Sequence, residues 1–156
     1  MPVSMNKSVN VLSKLEELIP KSQNDPRVIS DSFGKIEKVR KWMHLNQWNA
    51  VVISRIDNFA WLTTGGDNHV LKNTEIGVGS LLITPEKKYL LAHQMDGERI
   101  QELSLEGHGY ELKTLSWNEG DPRSLAFGLC GSRIAADSVF PGTHDKSERL
   151  IFSMNL

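Results

Sequence analysis

Hydrophobic positions change from a helical to a strand spacing near residue 50. Before it, the apolar residues of 8–19 recur every three or four positions, and Pro20 ends the pattern. Residues 20–34 contain two prolines and several turn-forming residues, which predicts a connector. A second helix is predicted after this connector, with basic residues on its solvent side. Its apolar side consists of Ile36, Val39, Trp42 and Met43.

Beyond residue 50, short apolar runs alternate with helical patterns. The runs 50–54, 80–84, 88–92, 111–115 and 133–136 predict strands, and the stretches 57–63, 95–106 and 121–129 predict helices. In the helix 95–106, Met95, Ile100 and Leu103 are spaced to face a core. Pro85-Glu86-Lys87 joins the second and third strands as a hairpin. This alternation predicts an α/β fold with a single mixed, mostly parallel sheet that has one hairpin and is flanked by helices.

Charge and cysteine content narrow the possible functions. The 156 residues carry 18 Lys and Arg against 19 Asp and Glu, so neither nucleic acid nor a membrane surface is an expected partner. Cys130 is the only cysteine, which excludes an internal disulfide and a multi-thiolate metal site. The first ten residues lack the apolar core of a signal peptide, and no apolar run is long enough to span a bilayer. These features predict one compact cytoplasmic domain.

The histidines and the cysteine do not form a catalytic or metal-binding pattern. His93 and Asp96 could supply two ligands, but no third ligand is apparent, so a hydrogen-bonded or surface histidine is favoured. Cys130 has no histidine near it in the sequence, which favours a buried filler over a nucleophile. The five histidines are His44, His69, His93, His108 and His144, and none forms an i, i+4 pair.

The carboxylates and glycines of the sequence do not indicate a particular catalytic or phosphate-binding site either. Gly77 and Gly79 precede a strand, whereas a phosphate-binding loop follows a strand and opens a helix, so phosphate binding is excluded for them. No spacing joins the carboxylates into an acid and base pair. The candidates are Asp57, Asp67, Glu75, Asp96 and Asp137.

The stretch DNFAWLTTGGDNH, residues 57–69, carries the most information. We expect Asp57 to cap a short helix, Trp61 to lie on its buried side with its apolar neighbours, and Gly65-Gly66 to end it through positive φ. A structural role accounts for that helix but not for the polar tail that begins at Asp67. The tail follows an early strand, where open α/β sheets commonly bind ligands.

The order of these elements resembles the N-terminal domain of the creatinase, prolidase and Xaa-Pro aminopeptidase family. The family shows a strand, a polar turn, an asparagine and then an aromatic-Leu-Thr-Gly run, and a later strand here closes on Ala136-Asp137. One departure is Thr64, which comes before the glycine. The matching residues are Asn58, Trp61, Leu62, Thr63 and Gly65.

This resemblance implies a creatinase N-terminal, ribonuclease-H-like fold and a non-catalytic role. In the family, two aspartates, a histidine and two glutamates of a C-terminal half hold two divalent metal ions, and no residue here matches them. The N-terminal domain restricts access to the catalytic cleft and supports dimerisation. The resemblance therefore assigns a substrate-access loop to Asp67, Asn68 and His69, which we expect to be exposed.

The leading hypothesis is a non-catalytic domain of a metal-dependent Xaa-Pro peptidase that cleaves short proline-containing peptides with Mn, Co or Zn in its catalytic half. The chain itself would be inactive and would act as a homodimer beside its own catalytic domain. We expect an N-terminal helix and connector in 1–33, the family domain in 34–145 and the start of a linker helix in 146–156. Two alternatives are a stand-alone module that binds a peptide or small molecule, and a small ribonuclease-H-like enzyme whose carboxylates bind magnesium.

Overall fold

One mixed sheet organises the part of the chain that the structure describes. The structure is a computed structural model, and it describes residues 22–69, 74–138, 140 and 144–145. Its strands are β1 (Ala50–Arg55), β2 (Ile76–Ile83), β3 (Lys88–His93), β4 (Glu111–Leu115), β5 (Ile134–Ala136) and β6 (His144–Asp145). Within these ranges they form a six-stranded sheet in the order β4-β3-β2-β1-β5-β6.

Three of the five strand pairs are parallel, and the predicted fold class is confirmed. The predicted hairpin joins β2 to β3, where Ile83 pairs with Lys88. The pair β1 and β2 is also antiparallel, although a helix and a loop separate the two strands in sequence. Strands β1, β3, β4 and β5 therefore end at the edge where β2 begins. We name this the carboxyl edge, and it is marked by Arg55, Ile76, His93, Leu115 and Ala136.

Helices cover both faces because successive strand residues point to opposite sides. Helices α1 (Pro26–Asn46), α2 (Ile56–Thr63) and α3 (Gln94–Ser104) pack on one face, and a 3-10 turn (Pro122–Ser124) and α4 (Leu125–Cys130) cover the other. The first core contains Ile36, Val39, Met43, Val51, Ile53, Phe59, Leu62, Leu81, Ile83, Leu90 and Ile100. The second contains Ala50, Val52, Leu82, Tyr89, Leu91, Ala126, Ala136 and Phe140.

Helix α1 begins at Pro26, so the connector predicted for 20–34 is wrong from that residue onward. The Asp25 carboxylate accepts the Arg27 N–H at 2.8 Å, and proline suits the first helical position because it lacks the N–H that would be unpaired there. Gly34 then interrupts the helical pattern in the sequence but not the helix itself. The helix predicted for 8–19 lies outside the described residues.

Helix α3 turns a different side to the core than its sequence spacing predicted. Met95 and Leu103 are 85% and 67% exposed, whereas Ile100 is buried. The buried side of α3 consists of Gly97, Ile100 and Ser104, which are spaced three and four residues apart. The prediction that Met95 and Leu103 face the core is therefore wrong.

Gly79→Ala should lower the free energy of unfolding by about 1–3 kcal/mol, because extra atoms in a packed core force its neighbours to shift. A Cβ at Gly79 would lie 2.5 Å from Cδ1 of Ile100. Gly34→Ala is the matched control, since a Cβ there meets nothing within 4 Å and alanine favours a helix. Urea unfolding measures both variants. Equal stability of the Gly79 variant and the wild type would contradict the packing described for β2.

Candidate functional site

Strands β1 and β2 separate at the carboxyl edge. Ile53 pairs with Leu81, but the next pair is Arg55 with Ile76, so Ser54 alone faces the four residues 77–80. The separation closes again beyond this point, where the Ile56 N–H donates to the Glu75 carbonyl at 2.9 Å. Backbone groups inside the separation need other partners, because a buried N–H or carbonyl without one is costly.

The side chain of Asn68 fills this separation. Its amide nitrogen donates to the carbonyl of Ser54 at 3.1 Å and to the carbonyl of Gly79 at 2.7 Å. The backbone carbonyl of Asn68 accepts the Val78 N–H at 2.8 Å. Asn68 is fully buried, and it bridges the two strands where they no longer pair with each other. The prediction that Asn68 is exposed is therefore wrong.

The glycine of β2 beside Asn68 makes room for it. A Cβ at Gly77 would lie 2.2 Å from Cγ of Asn68, closer than any side chain tolerates. Across the same separation, the hydroxyls of Ser54 and Ser80 are 2.8 Å apart and hydrogen-bonded. The segment Gly77–Ser80 thus leaves the space that the Asn68 side chain occupies. Sequence reasoning missed this role, although a glycine inside a strand often marks the close approach of another part of the chain.

Asp137 completes the hydrogen bonds of β1. Its two carboxylate oxygens accept the N–H groups of Ser54 at 2.8 Å and Arg55 at 2.9 Å. The side-chain amide of Asn58 donates to the same carboxylate at 3.0 Å. Burial raises the pKa of Asp137, and these hydrogen bonds oppose the rise. Asn58 and Asp137, both part of the sequence resemblance, therefore join the first turn of α2 to the end of β5.

The other motif residues build the end of α2. Leu62 is buried in the first core. The Thr63 hydroxyl donates to the Phe59 carbonyl at 2.7 Å and accepts the Gly66 N–H at 2.8 Å. The helix ends at Thr63, and the positive φ angles fall on Thr64 (59°) and Gly65 (109°) instead of on Gly65 and Gly66 as expected. The threonine that departs from the family pattern thus occupies the left-handed position itself.

Two expectations for α2 are corrected. The helix begins at Ile56 and has no side-chain cap, so Asp57 lies in its first turn instead of capping it. The Asp57 carboxylate accepts the adjacent Asn58 N–H at 2.9 Å and pairs with Arg55 at 3.2 Å. Trp61 is only partly buried, with the Lys35 ammonium 5.2 Å from the ring centroid. The full burial expected of Trp61 is therefore not observed.

Asp67 and His69 point outward on either side of the buried Asn68. The side chain of Asp67 is 55% exposed and that of His69 is 41% exposed. Ser104 holds the Asp67 backbone, because its hydroxyl oxygen lies 3.0 Å from the Asp67 N–H nitrogen and 3.2 Å from the Asp67 carbonyl oxygen.

The two outward side chains contact each other. The Asp67 carboxylate accepts the His69 N–H at 2.9 Å and contacts Nδ1 of the His69 ring. Burial alone would raise the pKa of Asp67, but the hydrogen bonds from His69 outweigh it and hold the pKa below the usual value. The loop therefore presents an ionised carboxylate paired with an imidazole.

An open cavity of about 770 Å³ lies beside α1, and another of about 480 Å³ lies next to His69 at the carboxyl edge. The latter contains Arg55, which pairs with Asp57 and Glu75 at 3.2 Å each. Its lining residues are Arg55, Ile56, Asp57, Ala60, His69, Thr74 and Glu75. Arg55, Asp57 and Glu75 thus form ion pairs in the wall of this cavity.

The remaining candidates lie apart from this site. Nδ1 of His93 lies 2.9 Å from the Leu115 carbonyl oxygen, and Nε2 of His108 lies 2.7 Å from the Gln23 carbonyl oxygen. Cys130 is partly buried, and burial raises the pKa of its thiol, which suits a filler better than a nucleophile. None of the helices in the described ranges combines the length and apolar character that a bilayer crossing needs.

The donor set does not fit a metal pair. In residues 22–69, 74–138, 140 and 144–145, no group of three or more His, Cys, Asp or Glu side chains could hold a metal ion. The ligand set of the family, two aspartates with a histidine and two glutamates, therefore has no counterpart in these ranges. Asp137, the most deeply buried of the candidate carboxylates, uses both oxygens for hydrogen bonds within the fold.

Comparison with solved structures finds peptidases of one family. The chain is similar to the Xaa-Pro dipeptidase from Bacillus anthracis, with 12% identity, a TM-score of 0.49, and coverage of 70% of this chain and 28% of that one. The prolidase from Pyrococcus horikoshii is 20% identical with a TM-score of 0.49, and the match covers 79% of this chain and 30% of that one. The Creatinase/Prolidase N-terminal domain of an X-Pro dipeptidase from Streptococcus pyogenes is 11% identical with a TM-score of 0.48, and the match covers 78% of this chain and 86% of that one.

These proteins are of the family that the sequence resembles. The chain spans less than a third of the length of the Bacillus and Pyrococcus proteins. No family model matches the chain, and no curated protein does. At identities of 11–20% the likeness concerns the backbone, so the roles of individual residues are taken from the contacts of this chain.

The stability that Asp137 contributes should depend on pH. Its pKa in the folded chain is raised above the value of about 3.9 in an unfolded chain, so this contribution is complete below the unfolded pKa and is lost as the pH rises through the folded pKa. The free energy of unfolding of the wild type minus that of Asp137→Asn should therefore increase as the pH falls from 7 towards 4. Urea unfolding at each pH measures this difference. A difference that is flat or decreases on acidification would show that the burial of Asp137 does not control its ionisation.

Proposed function

We propose that this chain is the non-catalytic N-terminal domain of a metal-dependent Xaa-Pro-type peptidase, in which it forms part of the rim of the catalytic cleft. One observation carries the proposal: the chain from Gly66 to His69 is held in a separation of the sheet and presents Asp67 and His69 at the carboxyl edge. Ligand sites of open α/β sheets commonly lie at this edge.

The motif residues support a scaffold role. Asn58 is hydrogen-bonded to Asp137, Leu62 packs in the core, and Thr63 connects α2 to the loop. In the proposal, these residues position a rim and take no part in bond cleavage. The two divalent metal ions, Mn, Co or Zn, and the activated water then belong to the catalytic half of a longer protein.

Exposed apolar side chains at the same edge support a contact with another domain. Ile76, Met95 and Trp117 are 42%, 85% and 84% exposed. Strand pairing aligns Gly79 with Ala92 and His93 with Leu115. Ile76 is the first residue of β2, Met95 lies in the first turn of α3 directly after β3, and Trp117 follows the end of β4 by two residues, so all three lie near the carboxyl edge. Large apolar groups clustered on a surface favour protein contact.

The proposal extends to the assembly. We place the catalytic half against the carboxyl edge, with a homodimer in the cytoplasm as the working form and short proline-containing peptides as substrates. A rim that positions or excludes peptides acts on the binding of substrates of different length more than on the reaction at the metal ions. Its removal should therefore change the choice between substrates more than the rate with the best one.

In the full-length peptidase, the double substitution Asp67→Ala/His69→Ala should change the ratio of kcat/KM for a proline-containing dipeptide to that for a longer peptide. The loss of exposed contacts worth about 0.5–1 kcal/mol corresponds to a change of roughly two- to fivefold. Steady-state kinetics with both peptides measures the ratio. Glu86→Ala is the control, since Glu86 is exposed in the hairpin turn at the opposite edge of the sheet.

An unchanged ratio in the double variant would remove these residues from substrate selection. The stand-alone alternative is tested with the chain by itself. NMR shifts of Asp67 and His69 on addition of a proline-containing dipeptide, with no catalytic half present, would favour a binding module over a rim.

A further inference from the structure

We infer that Asn68 is a positioning residue that sets Asp67 and His69 as one rigid pair at the carboxyl edge. The effect of this pair on peptide selection rests on the proposed function, whereas the positioning itself is a property of the chain alone. The loop of residues 66–69 is then a fixed projection of the sheet instead of a flexible lid.

The contacts of Asn68 explain why this residue suits the position. Its side-chain amide supplies both of its N–H groups, one to each strand. Aspartate has the same shape but no N–H donor, leucine has no donor, and glutamine is longer by one methylene. The separation between β1 and β2 thus accepts a short side chain that carries two donors.

Burial of the middle residue determines the direction of its neighbours. Asn68 is buried between them, and Asp67 and His69 both point outward and contact each other. The Val78 N–H and the Ser104 hydroxyl hold the backbone of Asn68 and Asp67 and so fix the position of the segment on the sheet. The outward pair therefore has one orientation for as long as Asn68 occupies the separation.

The pair also has a defined chemistry. Contact with the Asp67 carboxylate favours the proton on Nδ1 of His69, and this leaves Nε2 as the hydrogen-bond acceptor of the ring. Nε2 of His69 makes no hydrogen bond with the described residues. A rim of this kind presents an acceptor from His69 beside the negative charge of Asp67, which suits the N–H groups of a peptide backbone.

Gly77 offers a second, independent way to displace Asn68. A Cβ at Gly77 would overlap the Asn68 side chain, with Cβ 2.2 Å from both Cγ and Nδ2. Gly77→Ala should therefore expel Asn68 without altering it. The combination of Asn68→Ala and Gly77→Ala separates the positioning effect from any direct role of the asparagine.

The test follows Asp67 and His69 by NMR in the chain itself. In the wild type, the Asp67 carboxyl should titrate below the ordinary value of about 3.9, and the His69 ring nitrogens should report the Nδ1–H tautomer. In Asn68→Ala and Gly77→Ala, the Asp67 pKa should return to the ordinary value and the Nδ1–H tautomer should be lost. Controls are Asn46→Ala, an exposed asparagine at the end of α1, and Gly34→Ala.

The His69 tautomer is measured at neutral pH, so it remains informative for a variant that unfolds in acid. If Gly77→Ala is too unstable, Asn68→Ser keeps a short polar side chain and provides a milder variant. A folded Asn68 variant with an unchanged Asp67 titration and an unchanged His69 tautomer would overturn the inference.

The full-length peptidase separates this inference from the proposed function. Asn68→Ala should change the ratio of kcat/KM between dipeptide and longer peptide about as much as Asp67→Ala/His69→Ala, and the triple variant should add nothing further, because the three residues act as a unit. A changed ratio in the double variant with a wild-type ratio in Asn68→Ala would overturn the positioning role. Wild-type ratios in both, with the NMR changes present, would reject the rim function and keep the positioning role.

Discussion

The separation of β1 from β2 at Ser54 is the constraint on which the carboxyl edge depends. Within it, the N–H groups of Ser54 and Arg55 and the carbonyl of Ser54 form hydrogen bonds with side chains from elsewhere in the chain. Each buried backbone group left unsatisfied would cost about 1–3 kcal/mol. Two side chains remove this cost: Asp137 accepts both N–H groups, and Asn68 donates to the carbonyl. The end of β1 stays in the sheet because Asp137 and Asn68, from other parts of the chain, supply hydrogen-bond partners there.

The same contacts connect the fold to the proposed function. Asp137 also holds Asn58, so the first turn of α2 is fixed to the end of β5. Asn68 fixes the loop that follows α2, and the loop presents Asp67 and His69 to solvent. A rim built in this way holds its shape, because the side-chain N–H groups of Asn68 bond to both strands and the outward side chains of Asp67 and His69 contact each other. Rigid support of this kind is what a site needs to discriminate between substrates.

Local patterns predicted most of the elements. The strand 111–115 was predicted with its observed bounds, and the hairpin and α2 were predicted to within a few residues, because side-chain spacing and turn residues determine them. The start of α1 was missed because Gly34 and two prolines resemble a connector until the Asp25 cap is seen. The outward side of α3 was missed because several spacings fit the same few apolar residues.

The candidate site was less predictable, since its contacts are distant in sequence. Asp137 is 83 residues from Ser54, and Asn68 is 14 residues from it. The family resemblance pointed to Asn58 and to the strand end at Asp137 but not to the hydrogen bond between them. The sequence predicts an exposed Asn68 because the polar tail after Gly65-Gly66 is typical of a surface loop and the resemblance assigns it to the access loop. Asn68 is buried because β1 and β2 separate beside it, and a local sequence pattern does not reveal such a separation.

Amide hydrogen exchange at Ser54 and Arg55 in the wild-type chain tests the central claim most directly. Both N–H groups donate to the Asp137 carboxylate at the point where the pairing of β1 with β2 is interrupted, so we expect that carboxylate to protect them. The account predicts protection comparable to that of Val52 in the paired part of β1, and its selective loss at Ser54 and Arg55 in Asp137→Ala. Exchange of the two amides at the rate of an exposed loop in the wild type would contradict the account.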